Sequence, residues 1–247
     1  MLNKVYFIFL FFITSYSLSA QGVVSNQNVW FNYNGQYKVS QKWGYQLEAL
    51  FRLDNQLQQN LQNSFKIGGV YYLSSSQNMT LGYALVNTYD SSLLKFYKEN
   101  RLWEQYFISS KWNEAKNATI HRFRLEQRWI EKLSTVDGTV VSLGSFYQNR
   151  LRYQNRNLIH LVNLKSNNEE IYAVVQDEIF VTVGTNSGNT KLIDQNRFLI
   201  GIGLNYNNNI RFEIGYLNQI MNNCYTDKVM IHSISISLLQ NLTLQKQ

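Results

Sequence analysis

The residues best suited to chemistry lie in Ile120–Ile130, IHRFRLEQRWI. Arg122, Arg124, Glu126 and Arg128 take alternate positions, with His121, Phe123, Leu125, Gln127 and Trp129 between them. A strand sends successive side chains to opposite faces, so this spacing makes one ionic face and one mostly apolar, aromatic face. Arg150, Arg152, Gln154 and Arg156 repeat the plan against Leu151, Tyr153 and Asn155. A guanidinium is a planar fork that binds carboxylate or phosphate through two parallel hydrogen bonds. The chemistry on offer is therefore ion pairing, or anion binding, on one face of a sheet.

Catalysis has weaker support. A lipid hydrolase or acyltransferase needs a nucleophile, a base and an orienting group converging in space. His121, His160 and His232 are far apart, with no HxxxH or HExxH spacing. His232 beside Ser233 is the only local pair, and neighbours on a strand point apart. His160 shares the arginine parity of its segment; His121 lies on the apolar parity, which suits a membrane interface. The expectation is no enzyme and no cofactor, with an outer-membrane lipid-modifying enzyme as the alternative. Cys224 is the one cysteine, which excludes an internal disulfide and a centre built on several thiolates. No metal site is expected, and Cys224 receives no role.

The elements that must position the arginines are strands. Alternation recurs in eleven segments: 28–39, 43–54, 64–73, 79–89, 100–112, 118–133, 146–164, 171–183, 196–205, 210–221 and 229–242. Recurrent segments of about ten alternating residues are the signature of a transmembrane β-barrel. The chain has no proline, which suits long, fully paired strands. Its 17 tyrosines and 15% aromatic content fit girdles at a membrane interface. Mean hydropathy of −0.30 excludes a bundle of membrane helices but not a barrel, whose strands are apolar on one face only.

Connections alternate in length. Short ones (40–42, 74–77, 113–117, 165–168, 207–209) are expected at a periplasmic rim, and longer ones (55–63, 90–98, 134–144, 184–195, 222–228) outside. The expected fold is all-β, an antiparallel up-and-down transmembrane barrel. Bacterial barrels favour even strand numbers, so eleven segments predict about twelve strands, with ten as the fallback. Residues 1–20 read as a secretory signal peptide: Lys4, the apolar run Val5–Ile13, then small residues to Ala20. Residues 21–247 form one barrel domain on this reading. The competing fold is a soluble periplasmic β-sandwich acting as a binding module, which the non-aromatic ending LTLQKQ favours.

Turning the apolar set toward lipid places Glu48, Arg52, Arg122, Arg124, Glu126, Arg128, Arg150, Arg152, Arg156, Glu178, Arg197, Arg211 and Glu213 in the lumen. Cross-strand Arg–Glu ladders would fill a narrow interior and fix register. The arginine surplus would favour a small anionic solute. Trp30, Trp43, Trp103, Trp112 and Trp129 fall mostly near segment ends and are expected as interfacial aromatics. Net charge is +7, but the arginines interleave with apolar residues rather than clustering, so nucleic acid is not an expected partner. Expected partners are outer-membrane lipid, the barrel-assembly machinery and a small anion in the lumen.

NVWFNY, RFRLEQR, RLRYQNR, QDEIFV and NRFLIGIG, with the leader, resemble the domain of unknown function 2490 family of bacterial outer-membrane β-barrels. The most specific pieces are Arg122–Arg128, Arg150–Arg152, Asp177–Phe180 and Asn196-Arg197. The resemblance covers nearly the whole mature chain. It implies the fold and an outer-membrane address, and it supplies no catalytic residues.

Overall fold

A computed structural model describes residues 24–164, 169–184, 193–222 and 228–244. The leader reading and Cys224 fall outside these residues. Eleven strands follow one another among the described residues: β1 (Val24–Lys38), β2 (Trp43–Asp54), β3 (Asn60–Tyr72), β4 (Gln77–Asp90), β5 (Lys95–Trp112), β6 (Asn117–Val136), β7 (Thr139–Asn163), β8 (Glu169–Val183), β9 (Ile193–Tyr206), β10 (Ile210–Met221) and β11 (Val229–Thr243). Each predicted segment corresponds to one of them.

Sequential strands pair antiparallel, and β1 closes the barrel against β11. That last pair is parallel, in register from Val24 opposite Val229 to Lys38 opposite Thr243. The count is thus eleven, neither twelve nor ten. Strands that reverse direction at every turn put the first and last of an odd number in the same sense. A parallel ladder supplies evenly spaced, slanted hydrogen bonds and can still seal the wall. A single closed wall also replaces the two packed sheets of the sandwich alternative.

The rims differ in an unexpected way. One rim carries Thr243 and the connections 39–42, 73–76, 113–116 and 207–209. The other carries Val24 and the connections 55–59, 91–94 and 137–138. The predicted long connection 134–144 is mostly strand. It ends in a two-residue turn at Asp137-Gly138, with φ of 48° and 75°. Two positive φ values match the type I′ turn, whose twist continues that of the flanking strands. The asymmetry therefore lies in strand length: β6 has 20 residues and β7 has 25.

Burial alternates with parity along β4, β5 and β8 and in the middle of β6, with the apolar set outermost. On β4, Leu81 is 56% exposed and Leu85 53%, facing outward; on β6, Arg124 is 2% exposed, facing inward. Outward apolar and inward polar is the arrangement that a lipid-facing wall requires.

Candidate functional site

All ten arginines of the sequence lie on these strands with their side chains on the inner wall. Among the described lysines, only Lys66 joins them in the middle of the lumen; the others lie toward strand ends or in connections. The selection follows from chemistry. A guanidinium keeps its charge and presents a fixed fork, so it can serve several carboxylates in a confined space.

Five glutamates hold most of the network. Glu48 takes Arg124 at 2.6 Å, Lys66 at 2.5 Å and the Gln46 amide at 2.8 Å. Glu99 takes Arg101, and it takes Arg128 through Nε at 2.5 Å and Nη2 at 3.0 Å. Glu126 takes Arg150 and Arg152, each at 2.6 Å, with Arg101 at 3.7 Å. Glu178 takes Arg122 at 2.8 Å and Arg152 at 2.7 Å. Glu213 takes Arg156 at 2.5 Å and the Tyr172 hydroxyl at 2.6 Å. Amides fill remaining donors: Gln105 on Arg124, Gln148 on Arg128 and Gln176 on Arg156. Shared carboxylates of this kind offset the desolvation of buried charge, which costs several kcal/mol per ion when unpaired.

The thirteen sequence-predicted lumen residues all face inward. Lys66, Glu99 and Arg101 belong to the same network and escaped the sequence reading. On β5 the inner face mixes Trp103 with Glu99 and Arg101, while Glu104 stands on the outer face, so its parity is blurred. On β3 the contrast of Phe65 and Ile67 with Ser64 and Lys66 was available as a signal.

Two interfacial assignments need correction. Trp30 and Trp103 are buried in the lumen, at 3% and 1% exposure. Arg52 stands 3.8 Å from the Trp30 ring centroid, and Arg124 stands 4.5 Å from that of Trp103. Aromatic faces attract guanidinium, so these rings act as the charge network's packing material. Trp103 fits because β3 and β4 carry glycine behind it: a Cβ on Gly68 would lie 3.0 Å from the indole, and one on Gly82 would overlap it. Trp43, Trp112 and Trp129 do face outward and are exposed.

The histidines sit apart. His160 contacts Glu170 at 3.2 Å, His121 contacts the Tyr153 hydroxyl at 2.9 Å, and His232 contacts Tyr216. His232 and Ser233 point to opposite faces, as their adjacency requires.

Arg52, Arg197 and Arg211 have no carboxylate within ion-pair distance among the described residues. Asn241, with its amide oxygen turned inward, accepts from Arg211 at 3.3 Å. Gln195 in the same sense accepts from Arg197 at 2.5 and 2.8 Å. In the middle of the lumen nine arginines and Lys66 thus face five glutamates, while Arg211 and Glu170 lie level with each other toward the Thr243 rim.

The interior divides into two cavities. The larger, about 1050 Å³, lies toward the Val24 rim and is lined by Arg52, Arg101, Arg128, Arg150 and Arg197 among others. The smaller, about 290 Å³, lies toward the Thr243 rim and is lined by Arg122, Arg156, Arg211 and Glu213 among others. Leu50, Lys66, Arg152 and Arg197 line both and lie where the two adjoin.

A family model described as "Protein of unknown function (DUF2490)" matches residues 27–230. No curated protein and no solved structure matches the chain.

Proposed function

Because the chain belongs to the protein family of unknown function DUF2490, we propose a role from the barrel itself: it spans the bacterial outer membrane and binds a small anionic solute in its lumen. The observation that carries this reading is the uncompensated positive charge of the inner wall. An apolar outer wall supports the membrane address, as does the leader-like pattern of residues 1–20 in the sequence. The rim with Thr243 would face the periplasm, and the larger cavity would open outward. Lipid and the barrel-assembly machinery would be its partners in the envelope.

The charged side chains crowded where the two cavities adjoin, Lys66, Arg152 and Arg197, favour binding over free passage. A second reading, in which the ion pairs serve only to stiffen the barrel, is favoured by the multiple cations on four of the five glutamates.

The test is single-channel recording of the refolded mature chain in a planar bilayer, with reversal potential in a salt gradient. Small anion-selective steps, or a closed barrel that occludes labelled anions, support the proposal. Cation-selective steps would overturn it. Recovery of the chain as a soluble periplasmic protein would remove the membrane address. Insertion with neither conduction nor anion binding would leave the structural reading.

A further inference from the structure

Two of the three arginines without a carboxylate converge on one ring. Arg52 and Arg197 place their guanidinium carbons 3.8 and 4.9 Å from the Trp30 centroid. They come from β2 and β9, on opposite sides of the parallel seam. Arg197 also lies 4.5 Å from the Phe180 ring. The Arg52 Nε is buried and has no hydrogen-bond partner. Both arginines line the larger cavity.

The neighbours offset them only in part: Glu178, in register with Arg197, attracts it but is already held by Arg122 and Arg152. Arg101, Arg150 and Arg152 press like charge on Arg52. Their own carboxylates, Glu99, Glu126 and Glu178, are already engaged by at least two arginines each. Trp30 attracts both cations through its face but supplies no negative charge and no acceptor. Two guanidiniums, neither with a carboxylate within ion-pair distance, therefore stand between the Trp30 ring and the larger cavity, which has room for a ligand.

We propose that Arg52 and Arg197 form a binding site for a dianionic phosphate, reached through the larger cavity. The inference rests on the anion-binding reading of the lumen and deepens it. Two cations without an ion-pair partner match a dianion better than chloride. Tetrahedral phosphate oxygens accept the paired N–H donors of a guanidinium, and a halide cannot use that geometry. Trp30 is the floor that holds both side chains upright.

The experiment is calorimetric titration of the refolded chain in detergent micelles with inorganic phosphate, ionic strength held constant with chloride. Wild type should bind phosphate with saturation and with one site per barrel. Arg52→Gln and Arg197→Gln should each weaken binding about tenfold or more, as loss of a charge-assisted contact does. Arg52→Lys and Arg197→Lys keep the charge and lose the fork, and they should recover only part of the affinity. Lys42→Gln, in a rim connection, should bind as wild type. Heat-modifiable gel migration checks that each variant is folded.

Absence of saturable phosphate binding by the folded wild type overturns the site, as does unchanged affinity in both glutamine variants. Tighter binding of succinate than of phosphate overturns the phosphate assignment. A barrel that inserts and passes or occludes anions while failing this titration rejects the site alone. A chain that fails to insert rejects the membrane reading beneath it.

Discussion

Arg124 and Glu48 meet across the lumen, not along the wall. Arg124 Nη2 lies 2.6 Å from Glu48 Oε1, and Nη1 lies 3.4 Å from Oε2. Strands β3, β4 and β5 separate β2 from β6 in the wall, so this ion pair is a chord of the barrel. Glu48→Gln would leave Arg124 and Lys66 buried without their carboxylate. We expect a loss of about 3–5 kcal/mol, the usual consequence of breaking a buried pair from one side. Replacing all three together, Glu48→Leu with Lys66→Met and Arg124→Met, should recover most of it. The urea midpoint of the refolded barrel measures both. A wild-type midpoint for Glu48→Gln would show that the chord does not hold the wall.

Trp103 depends on glycine. Its indole lies against Gly82 and Gly68, and it supports Arg124 from beneath. Gly82→Val should displace the ring and cost about 1–3 kcal/mol, as overpacking does in tight interiors. Gly69→Ala is the control, because a Cβ there would meet nothing within 4 Å. Equal midpoints for the two variants would remove the packing argument.

How much of this was legible in the sequence depends on the parity of each strand. The arginines of β6 and β7 could be placed because charged and uncharged residues alternate without exception from Arg122 to Trp129. Trp30 and Trp103 could not, since an aromatic ring suits lipid headgroups and a guanidinium stack equally well. Nothing local distinguishes the two; Arg52 and Arg124 arrive from other strands. The parallel seam was hidden for a similar reason. Pairing of β1 with β11 joins Trp30 to Ser235, residues at the two ends of the chain. The polar, glycine-containing stretch 134–144 reads as a loop where the structure has the extended β6–β7 hairpin, although Asp137-Gly138 carries the turn signal.

Glu104 offers a test of the membrane reading. It stands exposed on the outer face, in register with Leu81 on β4 and Leu125 on β6. On that reading these leucines face lipid, and a carboxylate among them would carry a desolvation cost that a soluble surface would not impose. Glu104→Leu should therefore raise stability in phosphatidylcholine vesicles, by about 1 kcal/mol on the scale of depth-dependent lipid-face substitutions. Urea titration in vesicles reads the change. Destabilisation by leucine would place Glu104 against a polar partner instead of lipid.

The odd strand number makes a prediction about sidedness. Val24 and Thr243 lie on opposite rims, because β1 and β11 run in the same direction. An even barrel would put both on one rim. Ser25→Cys and Leu244→Cys, each in a Cys224→Ser background, place single thiols at exposed positions near these ends. A membrane-impermeant maleimide applied to intact cells should label Ser25→Cys. Leu244→Cys should label only after the outer membrane is opened, because the long β6–β7 hairpin extends from the opposite rim and its own rim would face the periplasm. The reverse pattern would keep eleven strands and invert the barrel. Labelling of both from the same side would require another strand in the wall, and with it antiparallel closure in place of the β1–β11 seam.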